Sequence, residues 1–345
     1  MSAVEVVEPP ASGETSRWLV LVIVCLAQFM VILDATVVNV ALPSIQADLG
    51  FSAANLQWVI NGYTLVFGGF LLLGGRAGDL FGRRRLFLAG VAIFSFASLL
   101  NGLATSDTWL VAARALQGLG GALVSPAALS IITTFAEGED RTKALGVWSA
   151  IAAGGGAFGL LLGGILTDLL SWEWIFFVNV PIGIATALLA IRYVPESKAA
   201  LRTRGVDLPG AVSVTAGLVV LVYAIVKAED FGWGSTKTLG LAAIAFALLA
   251  AFVVIERRTS APLIRLGIFR VRSLAGAITV LLLVVGGLFA FFFFASLYVQ
   301  QILGYSPLEA GLAFLPVTAG IGIGAGIAQQ LVKRIGVRTT AGSGC

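Results

Sequence analysis

Gly75-Arg76-Ala77-Gly78-Asp79-Leu80-Phe81-Gly82-Arg83-Arg84-Arg85 is the stretch on which the fold turns. Its glycines permit a tight turn between two closely packed helices. Asp79 sits among fixed positive charges, and Arg83, Arg84 and Arg85 can meet phosphate headgroups. On either side lie the apolar runs 57–78 and 86–105, each about 20 residues, the length that crosses a hydrocarbon core as a helix. A basic turn between two such runs reads as a loop at a membrane surface. Its simplest role is to anchor topology, since runs of three arginines are common.

Eight further runs of the same kind extend outward from this loop: 18–41, 109–134, 143–167, 174–194, 208–227, 238–255, 273–299 and 309–331. The composition agrees. The 345 residues are 58% hydrophobic and 12% charged, against about 25% charged for a soluble domain. A globule in water could not cover its surface with so few charges, and a disordered chain would be poorer in apolar residues. The expected class is an all-α polytopic membrane protein of about ten spans. The first run is no cleaved signal peptide, because it is too long, follows the polar tail 1–17 and lacks a small-residue cleavage site.

The charges orient the spans. Nineteen of the 22 Lys and Arg fall on one side when the N-terminus is put in the cytoplasm. Lys227 and Lys237 fall on the other, and Arg114 lies within a span. By the positive-inside rule both termini are expected in the cytoplasm of a multi-pass cell-membrane protein. The pI of 9.3 then reflects topology and contact with an anionic lipid bilayer, with no nucleic acid required.

Several chemistries drop out. With no histidine there is no imidazole base, proton relay or ligand. Cys25 and Cys345 make no CxxC metal or redox site. No GxxxxGK[ST] loop supports ATP coupling, and no carboxylate pair lies in a span. No catalytic residue, metal or cofactor is therefore assigned, and the chain is not expected to be an enzyme.

Two residues stand out instead. Asp34 is the one acid well inside a span and Arg114 the one base; an intramembrane ionisable residue is a functional candidate by default. Asp34 lies about 10 Å from the end of its span at Ala41, and Arg114 about 8 Å from the start of its own at Trp109, at 1.5 Å per residue. Their depths match, so a direct or water-mediated pair is expected if the helices adjoin. Burial favours the protonated acid and a nearby guanidinium favours the carboxylate. A cavity that opens and closes could tip that competition and move a proton. The alternative is a permanent structural ion pair.

Gly155, Gly159 and Gly163, with Gly164 beside them, form a small-xxx-small series that lets another backbone approach closely. Such packing suits either a moving interface or a static one. Candidate cavity-lining residues are Gln28 and Asn39, on one face of the first span, with Asn61, Tyr63, Gln117 and Trp148. For each, an interhelical hydrogen bond is the commoner role. The Phe291–Phe294 run reads as lipid-facing or packed core.

With these residues in hand, the chain resembles the major facilitator superfamily. The Gly75–Arg85 stretch is similar to that family's GxLaDxxGrrr loop, which marks Gly75, Gly78, Asp79, Gly82, Arg83 and Arg84 as gating-loop positions. Leu33–Pro43 (LDATVVNVALP), Arg114–Gly121 (RALQGLGG), Trp172–Gly183 (WEWIFFVNVPIG) and Gln300–Pro316 resemble motifs of the fourteen-span drug:proton antiporters of the EmrB/QacA type. The resemblance implies proton-coupled efflux of small hydrophobic or amphipathic molecules by alternating access, with Asp34 and Arg114 in proton coupling. Two departures stand out. Leu160 replaces the proline of the antiporter GPxxGG motif, and Glu173 replaces the arginine of WRW.

The resemblance also orders the chain. Residues 18–194 correspond to a complete N-terminal six-helix bundle, 195–207 to a cytoplasmic connector and 208–255 to two additional spans. Residues 256–272 form a cytoplasmic loop, 273–331 the first two helices of a C-terminal bundle, and 332–345 a tail. A degenerate repeat of the basic loop falls at Lys333–Arg338. Four spans of the family pattern are absent, so the chain reads as truncated after the tenth. The alternatives are therefore a non-transporting fragment and a facilitator that imports a small solute without proton exchange. Substrate identity and oligomeric state are not legible.

Overall fold

Long apolar runs satisfy every backbone group internally, the condition for a chain in hydrocarbon. In the computed structural model, which describes residues 14–135, 138–198, 207–260, 262–264 and 266–335, they become ten long helices, and the described residues contain no strand. Most of the tail 1–17, the connector 199–206 and the basic repeat from Gly336 onward lie outside the described residues.

The helices are α1 (Glu14–Leu49), α2 (Trp58–Phe81), α3 (Arg83–Gly102), α4 (Asp107–Phe135) and α5 (Gly138–Leu169). After them come α6 (Asn179–Tyr193), α7 (Leu208–Phe231), α8 (Thr236–Arg258), α9 (Arg272–Leu297) and α10 (Pro307–Ile335). Single turns, Ala53–Leu56 and Trp174–Phe177, lead into α2 and α6. Side-chain caps set several starts: Ser52 Oγ accepts from Asn55 N, Asp207 Oδ1 from Gly210 N, and Ser235 Oγ from Thr238 N.

The helices overrun the predicted spans. α1 continues through Pro43 to Leu49. More important is the Gly75–Arg85 stretch, where the turn is narrower than the glycine pattern suggests. Gly75 and Gly78 are helical residues of α2, and Gly82 alone separates α2 from α3. Gly82 has φ 114°, a region an L side chain rarely enters. Gly78 is buried in the helix, where an added Cβ would meet Leu86 at 3.5 Å.

α1 and α4 form the centre. The most apolar windows of these two helices are 61% and 56% buried, whereas that of α9 is 0% buried. α4 packs on α2 and α3, α1 on α5 and α6, α7 on α8, and α10 on α5. The outer surface is apolar, with Leu281, Leu282, Leu283 and Phe294 each more than 60% exposed. Water would not tolerate so continuous a patch, and hydrocarbon does. Among the described residues nine helices are long and apolar enough to cross a membrane. The protein is therefore a multi-pass membrane protein.

Candidate functional site

The interior of the bundle holds one polar cluster built on five helices. Arg114 and Gln117 are three residues apart on α4 and so share a face, as do Ser98 and Asn101 on α3. Asp34 comes from α1, Asn179 from the first turn of α6 and Tyr63 from α2. Gly62 makes room for the arginine, since a Cβ there would come 3.9 Å from Arg114 Cβ and 3.2 Å from the Val111 carbonyl.

Within the cluster, Arg114 Nη1 lies 2.5 Å from Asp34 Oδ2, with the two side chains 1% and 0% exposed. Asp34 Oδ1 accepts from Gln117 Nε2 at 2.7 Å and from Asn179 Nδ2 at 3.0 Å. Gln117 Oε1 accepts from Arg114 Nη1 and Asn101 Nδ2, each at 2.6 Å. Arg114 Nε donates to the Val59 carbonyl at 3.0 Å. Ser98 Oγ accepts from Gln117 and Asn179 and donates to the Phe176 carbonyl. The guanidinium rests 4.4 Å from the centre of the Tyr63 ring, a cation–π contact. Both charges are thus matched by partners, while Tyr63 Oη, Asn101 Oδ1 and Asn179 Oδ1 have no hydrogen-bond partner.

Chemically this is a carboxylate sealed from its surroundings and held by a counter-charge on a different helix. Separating α1 from α4 would strip Asp34 of its guanidinium partner. Ser98, Asn101 and Asn179 were not among the predicted site residues. Their signal was faint: two polar residues at helical spacing in the 86–105 span, and an asparagine inside the Trp172–Gly183 motif.

The other predicted lining residues divide. Asn39 borders a cavity between α1, α5, α9 and α10, and Asn61 borders a groove between α2 and α9. Tyr63 and Gln117 belong to the ion-pair cluster. Gln28 is half-buried with Oε1 unpartnered, and Trp148 packs against the apolar core. In the phenylalanine run, Phe294 faces outward while Phe292 stacks edge-on against Phe314 at 5.6 Å.

The glycines of α5 serve two contacts. An added Cβ at Gly155, Gly159 or Gly163 would run into Ile32, Thr36 and Val37 of α1, whereas one at Gly164 would strike Pro307 of α10. α10 answers with Gly311, packed against the Leu160 carbonyl. Leu160, where the antiporter motif has proline, is buried with Val40, Ala310 and Phe314, and α5 runs through it without a break. Glu173 lies just before the Trp174–Phe177 turn, with Oε2 unpartnered.

At the basic end, Asp79 Oδ1 pairs with Arg83 Nη2 at 3.1 Å, and Arg83 also bonds Thr134. Glu196 is a residue the sequence did not single out. Its carboxylate accepts from the backbone N–H groups of Arg84 and Arg85 at 3.1 and 3.2 Å, capping the start of α3. Replacing it with alanine is expected to lower stability by about 0.5–2 kcal/mol, the usual effect of losing a cap. Faster hydrogen exchange at the Arg84 and Arg85 amides would register the loss; unchanged exchange would rule the cap out.

A bundle of spanning helices that seals a charge pair in its interior suits a membrane transporter. The comparisons make the class specific. The family model described as Major Facilitator Superfamily matches residues 24–345, and the chain belongs to that family. Puromycin resistance protein pur8 of Streptomyces alboniger is 46% identical over 342 residues, covering 98% of this chain and 68% of the relative. Cephamycin export protein CmcT of Amycolatopsis lactamdurans is 44% identical, covering 94% and 68%. The tetracenomycin C resistance and export protein of Streptomyces glaucescens is 37% identical, covering 96% and 62%. In fold, the chain is similar to the POT family transporter PepTSo, with a TM-score of 0.59 and 16% identity over 94% of this chain and 71% of that one. The chain spans about two thirds of the length of these three relatives.

Proposed function

We propose that the chain is the greater part of a proton-coupled exporter of hydrophobic or amphipathic drug-like compounds, of the fourteen-span antiporter type. Asp34 would carry the proton and Arg114 would hold it charged while the site is closed. The observation that carries this reading is the Asp34–Arg114 pair, an acid and a base that meet at 2.5 Å, sealed within the spans that would form the N-terminal bundle. Support for export comes from relatives named for puromycin resistance, cephamycin export and tetracenomycin C export. Residues 18–194 would form the N-terminal bundle, 208–255 the additional spans and 273–331 the start of the second bundle. The Gly75–Arg85 end and both termini would face the cytoplasm, by the charge bias, in the cell membrane. The Asp79–Arg83 pair would belong to the gating loop, and the α5–α10 glycine contact would be the interface that shifts.

A second reading rests on its own observation. Asp34 accepts hydrogen bonds from three side chains and has no exposure, which suits a fixed structural ion pair in a chain that needs further helices to transport.

Gradient-driven puromycin efflux from cells making the chain separates the readings. Under the proton-carrier reading, Asp34→Asn brings the initial rate down to that of cells lacking the protein, at unchanged membrane abundance. An Asp34→Asn chain that still exports when a proton gradient is imposed would sink Asp34 as the carrier. A native chain that exports nothing would favour the incomplete transporter.

A further inference from the structure

Pro43 lies within α1, which runs through it to Leu49. Proline has no N–H, so the carbonyl four residues earlier, that of Asn39, is left without an intrahelical donor. A different helix supplies one. Ser296 Oγ donates to the Asn39 carbonyl at 2.6 Å. Beside it, Gln300 Nε2 donates to the Val40 carbonyl at 3.0 Å, an oxygen with a second lone pair to offer. Gln300 Nε2 also reaches Ser296 Oγ at 3.0 Å, which ties the two donors together.

These contacts gather at one end of α9. Among the described residues of α9 only Ser296 is buried, and the apolar cover beside it comes from half-buried Phe293 and Leu297. The helix then passes into a wide turn, Tyr298–Ile302, closed by the Leu303 N–H on the Tyr298 carbonyl. From that turn Gln301 Nε2 reaches Gln46 Oε1 of α1 at 2.8 Å. Single wide turns of this kind are frequent at functional sites.

The bonds can be released without leaving a group unmet. A freed serine hydroxyl can turn back to the carbonyl four residues earlier on its own helix, here that of Phe292. The Gln300 amide and the Asn39 carbonyl can take water once that end of the bundle parts. The contact is thus small, polar and replaceable, unlike the glycine-packed seam between α5 and α10. Asn39 lies five residues, about 8 Å, beyond Asp34 along α1. Thr36, between them, lines the cavity bounded by α1, α5, α9 and α10.

We propose that Ser296 and Gln300 form a releasable latch on the carbonyls beside Pro43. Made, it shuts the end of the bundle beyond Asp34; broken, it opens the cavity beside Thr36 to that side. Its role as an outer gate over the proton carrier rests on the exporter reading, and the outward direction on the charge bias.

The test is the rate at which a membrane-impermeant maleimide, added outside intact cells, modifies a thiol introduced by Thr36→Cys. Cys25→Ser and Cys345→Ser remove the native thiols. When opening is brief, such a rate follows the open fraction. Ser296→Ala should therefore speed modification about tenfold, one hydrogen bond's worth, and Gln300→Leu should act in the same direction. Pro43→Ala gives the Asn39 carbonyl an N–H within α1, and it too should speed modification. On that background Ser296→Ala should add less than about threefold, because both changes act through one carbonyl. Full multiplication of the two effects would place the serine's part in packing and overturn the latch. So would a rate that neither Ser296→Ala nor Gln300→Leu changes. Where the Ser296 variants do not fold, Pro43→Ala alone decides: faster modification supports the latch and an unchanged rate overturns it. Puromycin efflux from the same cells keeps the two readings apart. Efflux with modification rates unmoved would defeat the latch and leave the exporter reading standing. Faster modification of a chain that exports nothing would support the latch while defeating the exporter reading.

Discussion

Arg114→Met is expected to destabilise the bundle by about 3–5 kcal/mol, the usual result of removing one partner from a buried ion pair. Asp34 would be left 0% exposed, with only the neutral donors Gln117 and Asn179 against it. The Val59 carbonyl and the Tyr63 ring would lose their partner as well. Hydrocarbon around the bundle offers no water to take up the charge. The companion double variant, Asp34→Asn with Arg114→Gln, should recover most of the loss, because neutral amides can keep bonding Gln117 and Asn179. Unfolding of the purified protein in mixed detergent measures both. A single replacement that lowers stability by less than about 1 kcal/mol would mean that the pair is open to solvent part of the time. A double variant no better than the single would place the damage in packing rather than charge.

Gly163→Ala and Gly164→Ala are expected to lower stability by about 1–3 kcal/mol each, as overpacking usually does. The new Cβ of the first would lie 2.7 Å from the Val37 carbonyl oxygen on α1, and that of the second 2.6 Å from the Pro307 carbonyl oxygen on α10. These neighbours are backbone, so relief requires a helix to shift. Gly156→Ala is the control, because its nearest neighbour is Thr36 Cγ2 at 3.8 Å, an ordinary contact. Melting temperatures of the three variants should separate the control from the other two, and a uniform response would defeat the steric argument. Transport assays then distinguish a moving interface from a static one. If α5 slides on α10, Gly164→Ala loses far more efflux than its melting temperature explains.

Particular residues show how much of this was legible beforehand. Most of the spans were visible because hydrocarbon demands uninterrupted apolar helix, a local property of composition and length; nine helices meet that demand among the described residues, and of the expected span 143–167 only the shorter apolar stretch Phe158–Leu169 does. Asp34 and Arg114 stood out because a charge in that setting is rare, and their depths could be counted at a fixed rise per residue. The helix overruns were less visible, because α1 carries a proline at Pro43 without ending there. The Gly75–Arg85 stretch misled in one respect. Three glycines suggested a shared turn, yet Gly75 and Gly78 are spent on helix packing and Gly82 alone reverses the chain.

The site was only partly readable. Ser98, Asn101 and Asn179 are ordinary polar residues in sequence, and only the meeting of α3, α4 and α6 brings them into the Asp34 network, Asn179 by bonding Asp34 itself and Ser98 and Asn101 by bonding Gln117. Glu196 lies 111 residues from Arg85, so no local pattern could mark it as the cap of α3.

By itself, then, the sequence determined that the chain is a helical membrane protein, where its helices lie and which two charges lie buried within it. Those follow from local hydropathy and from the high energy of a charge in hydrocarbon. Only the tertiary structure decided that Asp34 and Arg114 face each other, which amides complete their shell, and that Ser296 of α9 reaches the Asn39 carbonyl. Helix rotation and pairing come from packing between segments far apart in sequence, such as the glycine faces that seat α5 against α1 and α10.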